Sequence, residues 1–290
     1  MTPRIGTATT GFLDRPDGGR LHWRQDGPVG AGPKVVLLGP EHRTLAIWPD
    51  VFVTDVVASG ASCVRLDWRD QGRSESGDSD LTLEMLCDDV IAVLPAEADP
   101  LIIVGVGLGA TVARHVAVAR PGADVILVNA SDDYLATTVM GPDEADVVRV
   151  VLRPSGGRPG DDHRRLVREV RVLAGPVDGP DGEGGQVDAV VESWLAAGQR
   201  SSDRHRAVVL AGRPPLAELE RDCAASVAVL HGSDNRFVPP DHGSGVAARF
   251  GVPLTAIAGA GHHLGPALRR AIIEVLAVRV AERRRGPGRY

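Results

Sequence analysis

The stretch "LIIVGVGLGATVARHVA", residues 101–117, constrains the fold more than any other part of the chain. Four apolar residues, Leu101 to Val104, run into the turn Gly105-Val106-Gly107-Leu108-Gly109. The chain leaves that turn with apolar residues at Val112, Val116 and Ala119. A continuous apolar run suits a strand buried on both faces of a parallel sheet, and the spacing that follows suits a helix packed against it. Three glycines in five residues permit a tight reversal, because glycine adopts positive φ without a Cβ penalty. A fold that accepts this segment is built from strand, turn and helix units.

The remainder repeats that unit. "KVVLLG" (34–39), "SCVRLD" (62–67), "DVILVN" (124–129), "SVAVLHG" (226–232) and "PLTAIAG" (253–259) are short β-rich runs. The helical patterns of "WPDVFVTDVVASG" and "LTLEMLCDDVIAVL" separate the earlier ones. Such alternation predicts βαβ units and a mostly parallel sheet flanked by helices. An N-terminal hairpin is expected over residues 12–27, turning at Pro16-Asp17-Gly18-Gly19. Between residues 132 and 212 the rhythm changes: "DEADVVRVVL", "DDHRRLVREVRVLA" and "VDAVVESWLAAG" read as helices opened by acidic residues, with no strand among them. The expected organisation is a core of residues 1–131 and 213–290 and a helical cap of residues 132–212. That cap would lie over the carboxyl ends of the strands, where open α/β sheets bind ligands.

Composition narrows the partners. A net charge of −6 with 24% charged residues offers no basic surface for nucleic acid or an anionic membrane. Nowhere do 18 apolar residues run together, and the N-terminus has no apolar core of a secretory signal. Three scattered cysteines without metal-ligand spacing fit buried thiols in a reducing compartment. A cytoplasmic protein without metal or cofactor is expected. The glycine pattern at 105–109 lacks the spacing of a dinucleotide fingerprint. Lys34 is the only lysine among the 32 Lys and Arg residues, which with the abundance of Ala, Val, Gly and Asp fits a GC-rich, actinobacterial type of coding sequence.

Two polar residues stand after later strands: Asp234 in "HGSDNRFVPP" and His262 in "AGAGHHLG". "VRLDWRDQGRSES" (64–76) places Asp67, Arg69, Gly72 and Ser74 in an Asp-x-Arg-x-x-Gly-x-Ser pattern. Through these residues, with "WPDVF", "GLGAT" and "AGAGH", the sequence resembles the α/β-hydrolase superfamily over residues 12–131 and 214–285. Within it the likeness is to the aclacinomycin methylesterase type that tailors aromatic polyketides. The resemblance implies an α/β-hydrolase fold with a helical cap and the chain order nucleophile, acid, histidine. Carried over, Asp234 is the acid that orients His262, and Leu108 supplies an oxyanion-hole N–H.

The departures are as informative. Where the family presents a serine in Gly-x-Ser-x-Gly, this chain has Gly107. Losing such a nucleophile costs on the order of a million-fold in rate. At the other side of the expected oxyanion hole the chain reads Gly39-Pro40-Glu41-His42. If Glu41 and His42 face the pocket, Glu41 is a candidate base with a raised pKa; the alternative is that both face solvent. The resulting expectation is a non-hydrolytic biosynthetic enzyme performing cyclisation, carbon–carbon bond formation or elimination by acid–base catalysis at His262. It is similar in this respect to the α/β-hydrolase-fold enzyme of anthraquinone-fused enediyne biosynthesis. The substrate would be a hydrophobic, polycyclic aromatic or polyketide molecule lined by Gly39 and His42, with Trp194 or Tyr134 as stacking surface. An inactive ligand-binding protein is one alternative. An esterase that activates water directly, or whose serine has been replaced, is another. The oligomeric state stays open, a homodimer included.

Overall fold

The computed structural model describes residues 8–28, 32–77, 80–94, 100–131, 142–151, 160–179, 186–199, 203–210 and 226–285. Its centre is an eight-stranded sheet in the order β1-β2-β4-β3-β5-β6-β7-β8. The strands are β1 (Thr9–Asp14), β2 (Arg20–Asp26), β3 (Lys34–Leu38), β4 (Ser62–Leu66), β5 (Leu101–Val106), β6 (Asp124–Val128), β7 (Ser226–Gly232) and β8 (Leu254–Ile257). The expected hairpin forms from β1 and β2, with Leu13 opposite Leu21. β2 joins β4 antiparallel, and from β4 to β8 every pairing is parallel. All six residues of β5 are buried, as a strand covered on both faces requires.

Helices cover both faces. Against one lie α2 (Leu83–Val93), α3 (Leu108–Ala119) and α8 (Pro240–Arg249), which contribute Leu86, Val90, Val112, Val116 and Val246 to one apolar cluster. Against the other lie α1 (Asp50–Ala58) and α9 (Pro266–Arg285), through Phe52, Val53, Val56, Leu268, Ile272 and Leu276. Each such fully buried side chain stabilises the fold by roughly 1.5–3 kcal/mol. The start of α2 is set by Thr82, whose hydroxyl accepts from the N–H of Met85 and satisfies a donor the helix cannot.

The four described helices between β6 and β7 are α4 (Pro142–Val151), α5 (Asp161–Leu173), α6 (Val187–Ala196) and α7 (Asp203–Leu210). α5 and α6 join the second apolar cluster through Leu166, Val170, Val187, Val191 and Trp194. Tyr134 and Cys223 lie outside the described residues. Cys63 and Cys87 are buried free thiols. Among the described residues no helix is long and apolar enough to cross a membrane, and no group of three metal-ligating side chains occurs.

Strand order places the site. From β3 the chain passes to β4 on one side, and β5 then pairs with the opposite edge of β3. The loops following β3 and β5 therefore diverge from adjacent strand ends. Doubly wound sheets hold their ligands at such a switch point.

Candidate active site

The turn after β5 has the geometry expected of it. Gly107 takes φ 56° and ψ −121° and caps α3, its N–H donating to Val128 O (3.1 Å). Its flanking glycines are forced by packing: a Cβ at Gly105 would collide with the backbone of Gly109, and one at Gly109 with the carbonyl of Leu38. Gly107 differs. A Cβ there would lie 3.2 Å from Glu41 Oε2, 3.3 Å from Pro40 Cβ and 3.4 Å from His262 Nε2, so a small side chain has tight but real space. Three groups face the point where that side chain would begin.

Glu41 turns inward, on the loop after β3. Its Oε2 accepts from the N–H of Leu108 at 3.5 Å, a long contact, and the N–H of Glu41 itself also acts on the carboxyl. These are the positions from which a hydrolase of this fold would hold an oxyanion. Here the chain's own carboxyl lies against the first of them, the Leu108 N–H. Burial pushes the Glu41 pKa up; the two N–H groups and Arg43 pull it down and Glu169 pushes it up, with a net rise. Pro40 contributes no N–H of its own.

The imidazole of His262 is buried, with the ring of Phe237 edge-on to it at a centroid distance of 4.9 Å. Burial, with His231, His263 and Arg43 nearby, pushes its pKa down to about 3. Its Nε2 makes no hydrogen bond among the described residues. Its Nδ1 meets Asn235 Nδ2 at 3.1 Å. The expectation that Asp234 orients His262 is therefore corrected. Asp234 is exposed, its Oδ2 accepts from the hydroxyl of Ser233 and its N–H donates to Ala260 O. The tight turn after β7 directs residue 234 outward and residue 235 inward. Asn235 is locked there because its Oδ1 accepts from the N–H groups of Phe237 (3.1 Å) and Val238 (2.9 Å).

Asn129, at the end of β6, holds the His262 loop. It adopts φ 52°. Its Nδ2 donates to Gly261 O and His262 O, both at 3.1 Å, while its Oδ1 accepts from Gly232 N at 3.0 Å.

The other expected binding residues have structural work. Gly39 offers its carbonyl to Trp68 Nε1 at 3.1 Å. His42 is buried at φ 57°, its ring 5.5 Å from that of His205. Trp194 is corrected as a substrate platform: it is 3% exposed and its face is covered by the guanidinium of Arg43 at 5.0 Å. Arg43 in turn pairs with Glu169 of α5, which Arg165 also reaches at 2.9 Å, so a buried ion cluster ties the helices after β6 to the loop carrying Glu41. Burial and the charges of Arg43 and Arg269 push His263, whose ring centroid is 6.0 Å from that of Trp194, down to about 3 as well. Arg114 and His115 serve α3: Arg114 donates to Ser131 O, and His115 Nδ1 contacts Thr111 O.

The residues of the Asp67 pattern form a separate buried clamp. Asp67 Oδ2 meets His22 Nδ1 at 2.7 Å and accepts from Arg73 N, its Oδ1 accepts from Leu45 N, and its carbonyl accepts from Ser74 Oγ. Arg69 pairs with Asp89 and Asp17. Gly72, at φ 56°, has no room for a Cβ beside the Asp67 carboxyl.

A mostly parallel sheet with an elbow after β5 and a histidine loop after β8 defines a class, and the sequence bears it out. The chain belongs to the alpha/beta hydrolase family, matching it over residues 14–277. Similar solved structures include the esterase RhEst1 from Rhodococcus sp. ECU1013, with 22% identity, a TM-score of 0.71 and coverage of 94% of this chain and 98% of that one. An esterase from Exiguobacterium antarcticum gives 15% identity, a TM-score of 0.74 and coverage of 94% and 100%. A bromoperoxidase from Bacillus anthracis gives 15% identity, a TM-score of 0.70 and coverage of 93% and 99%. At these identities the likeness is one of fold.

Proposed function

We propose that this chain is a non-hydrolytic enzyme that moves protons on a small organic substrate without a covalent intermediate, using Glu41 and His262. The observation that carries the reading is the Glu41 carboxyl, seated on the N–H of Leu108 above Gly107. Ester hydrolysis in this fold needs a hydroxyl at the elbow and an empty pair of N–H donors beside it. Here the elbow carries no side chain, and the Leu108 N–H donates to the chain's own carboxyl.

What stands in their place is a buried carboxyl and a buried imidazole facing one point. Burial favours the uncharged form of both, raising the pKa of Glu41 and lowering that of His262, and titratable groups displaced in this way gather at functional sites. Reactions of this type include cyclisation, elimination and carbon–carbon bond formation through an enolate or phenolate. An aromatic or polyketide intermediate fits the resemblance that the sequence bears to polyketide-tailoring relatives. The helices of residues 132–212 would act as its cap.

The test is to incubate the metabolite that accumulates on gene deletion with the purified protein in ¹⁸O water, beside His262→Ala and Glu41→Gln. Turnover to a product free of ¹⁸O, slowed about 10²- to 10⁴-fold in either variant, is the expected result. Incorporated ¹⁸O would make the protein a hydrolase that activates water directly. Tight binding without any product would make it a ligand-binding protein.

A further inference from the structure

In an acid-oriented catalytic histidine, a carboxylate accepts the Nδ1–H and leaves a lone pair on Nε2 for use as a base. The partner of His262 is an amide, and an amide has two different ends. The backbone N–H groups of Phe237 and Val238 can only donate, so the atom of Asn235 that faces them is its oxygen. The end facing His262 Nδ1 at 3.1 Å is therefore the NH2 group, which can only donate. Nδ1 must then be the acceptor.

The neighbouring histidine closes the alternative. His231 Nε2 lies 2.8 Å from Val238 O, a carbonyl, so that nitrogen carries a hydrogen and cannot accept from Asn235 at 3.3 Å. The Asn235 NH2 is left to serve His262. A neutral imidazole bears one hydrogen, and with Nδ1 accepting, that hydrogen sits on Nε2. The imidazolium form would set an N–H against the NH2 group, and the pKa near 3 agrees with its exclusion.

We infer that Asn235 reverses the tautomer of His262, so that Nε2–H is a hydrogen-bond donor aimed at the space above Gly107 and the ligand brings an oxygen acceptor to that point. The inference rests on the proton-transfer reading of the site and divides its labour. Glu41 exchanges the proton. His262 donates to the oxygen on which negative charge gathers: a ketone or quinone carbonyl that becomes an enolate or phenolate. Asn235 is a positioning residue, acting through His262. Independent support comes from Nε2 itself, a buried donor without a hydrogen-bond partner among the described residues, 3.4 Å from the point where a residue-107 side chain would start. Buried donors are rarely left unpaired, and a bound acceptor would complete this one. A carboxyl base beside a neutral imidazole donor is an arrangement suited to enolisation.

The test reads the nitrogens directly. In ¹⁵N-histidine-labelled protein, long-range proton–nitrogen correlation should show His262 Nδ1 as pyridine-like and Nε2 as pyrrole-like, and Asn235→Asp should exchange the two. A pyrrole-like Nδ1 in the unaltered protein would overturn the inference, whether or not the protein turns substrate over. So would an Asn235→Asp spectrum that matches the unaltered one. If Asn235→Asp does not fold, the unaltered protein still decides. A binding measurement supplies the second arm, with anthraquinone-2-sulfonate and anthracene-2-sulfonate as probes of nearly equal size. The quinone should bind about tenfold more tightly, one good hydrogen bond's worth, and the preference should vanish in Asn235→Asp. Equal affinity for the two probes in the unaltered protein would also overturn it.

Discussion

Two buried histidines, His22 and His262, are held through Nδ1 by opposite chemistry. His22, on β2, meets the carboxylate of Asp67 at 2.7 Å, and Asp67 is at once tied to Leu45, Arg73 and Ser74. His262 meets the amide of Asn235 at 3.1 Å, and its outer nitrogen has no hydrogen-bond partner among the described residues. The first is a closed structural joint between the hairpin and the loops around it: His22 Nε2 is itself taken by Thr10 at 2.9 Å. The second is left open on the side that faces the site. A carboxylate partner forces a hydrogen onto Nδ1; an amide nitrogen forbids one there. The same residue type thus becomes fastener or functional group according to the polarity of one neighbouring atom.

Removing the carboxylate of the closed joint should have the largest effect. Asp67→Ala strands several buried donors, among them the imidazole of His22, and should cost about 3–5 kcal/mol in urea unfolding. A cost within 1 kcal/mol of zero would show that the joint is not what holds the hairpin. The next effect is on acid stability. His262 and His263 fold with pKa values near 3 against an ordinary 6.5, so the unfolded chain takes up protons first as pH falls. Stability present above about pH 6.5 should be lost progressively towards pH 3, and replacing both with Gln should flatten that slope. Asn235→Ala, on the open side, leaves two backbone N–H groups without their acceptor and should cost roughly 1–3 kcal/mol, less than Asp67→Ala.

Two smaller effects bear on Glu41 and Gly107. Glu41 has the opposite sign to the histidines: its folded pKa lies above the ordinary 4.5, so its burial weighs against the folded state increasingly as pH rises past that value. Glu41→Gln should therefore be more stable than the unaltered protein at pH 8, with the gap closing towards pH 4.5 in thermal unfolding. Gly107→Ser places a side chain on a residue at φ 56° and should lose about 1–3 kcal/mol. It should gain no esterase turnover on p-nitrophenyl acetate, because Glu41 occupies the Leu108 N–H and His262 presents a hydrogen. Fast turnover in that single variant would mean that only the serine had been missing.

Much of this could be read in advance from residues whose pattern is dictated by packing. The strand and helix at 101–117 announce themselves because burial on both faces admits only apolar residues there, and the hairpin because Pro16-Asp17-Gly18-Gly19 can do little but turn. The inward turn of Glu41 was open, since a single carboxyl after Gly-Pro carries no periodicity. The exchange of Asp234 for Asn235 escaped for a sharper reason. Both are polar and adjacent, and which one points inward depends on the turn made after β7, where Asn235 accepts two N–H groups from the residues that follow. An Asn two and three places before Phe237 and Val238 is a signal for a side chain that caps its own loop. Trp194 was legible as packing: it shares a helical face with Val187 and Val191 at spacings of seven and three residues. Arg43 and Glu169 were not, because 126 residues separate the partners.

Asn129 has a consequence for how the molecule breathes. One side chain joins the end of β6 to β7 at Gly232 and to the loop carbonyls of Gly261 and His262. The histidine loop therefore cannot open as a local fluctuation without also stripping a partner from the central sheet. Its opening free energy is coupled to that of the sheet core. Amide hydrogens of that loop should exchange with solvent at the pace of global unfolding, in a part of the chain where lids and loops usually exchange first.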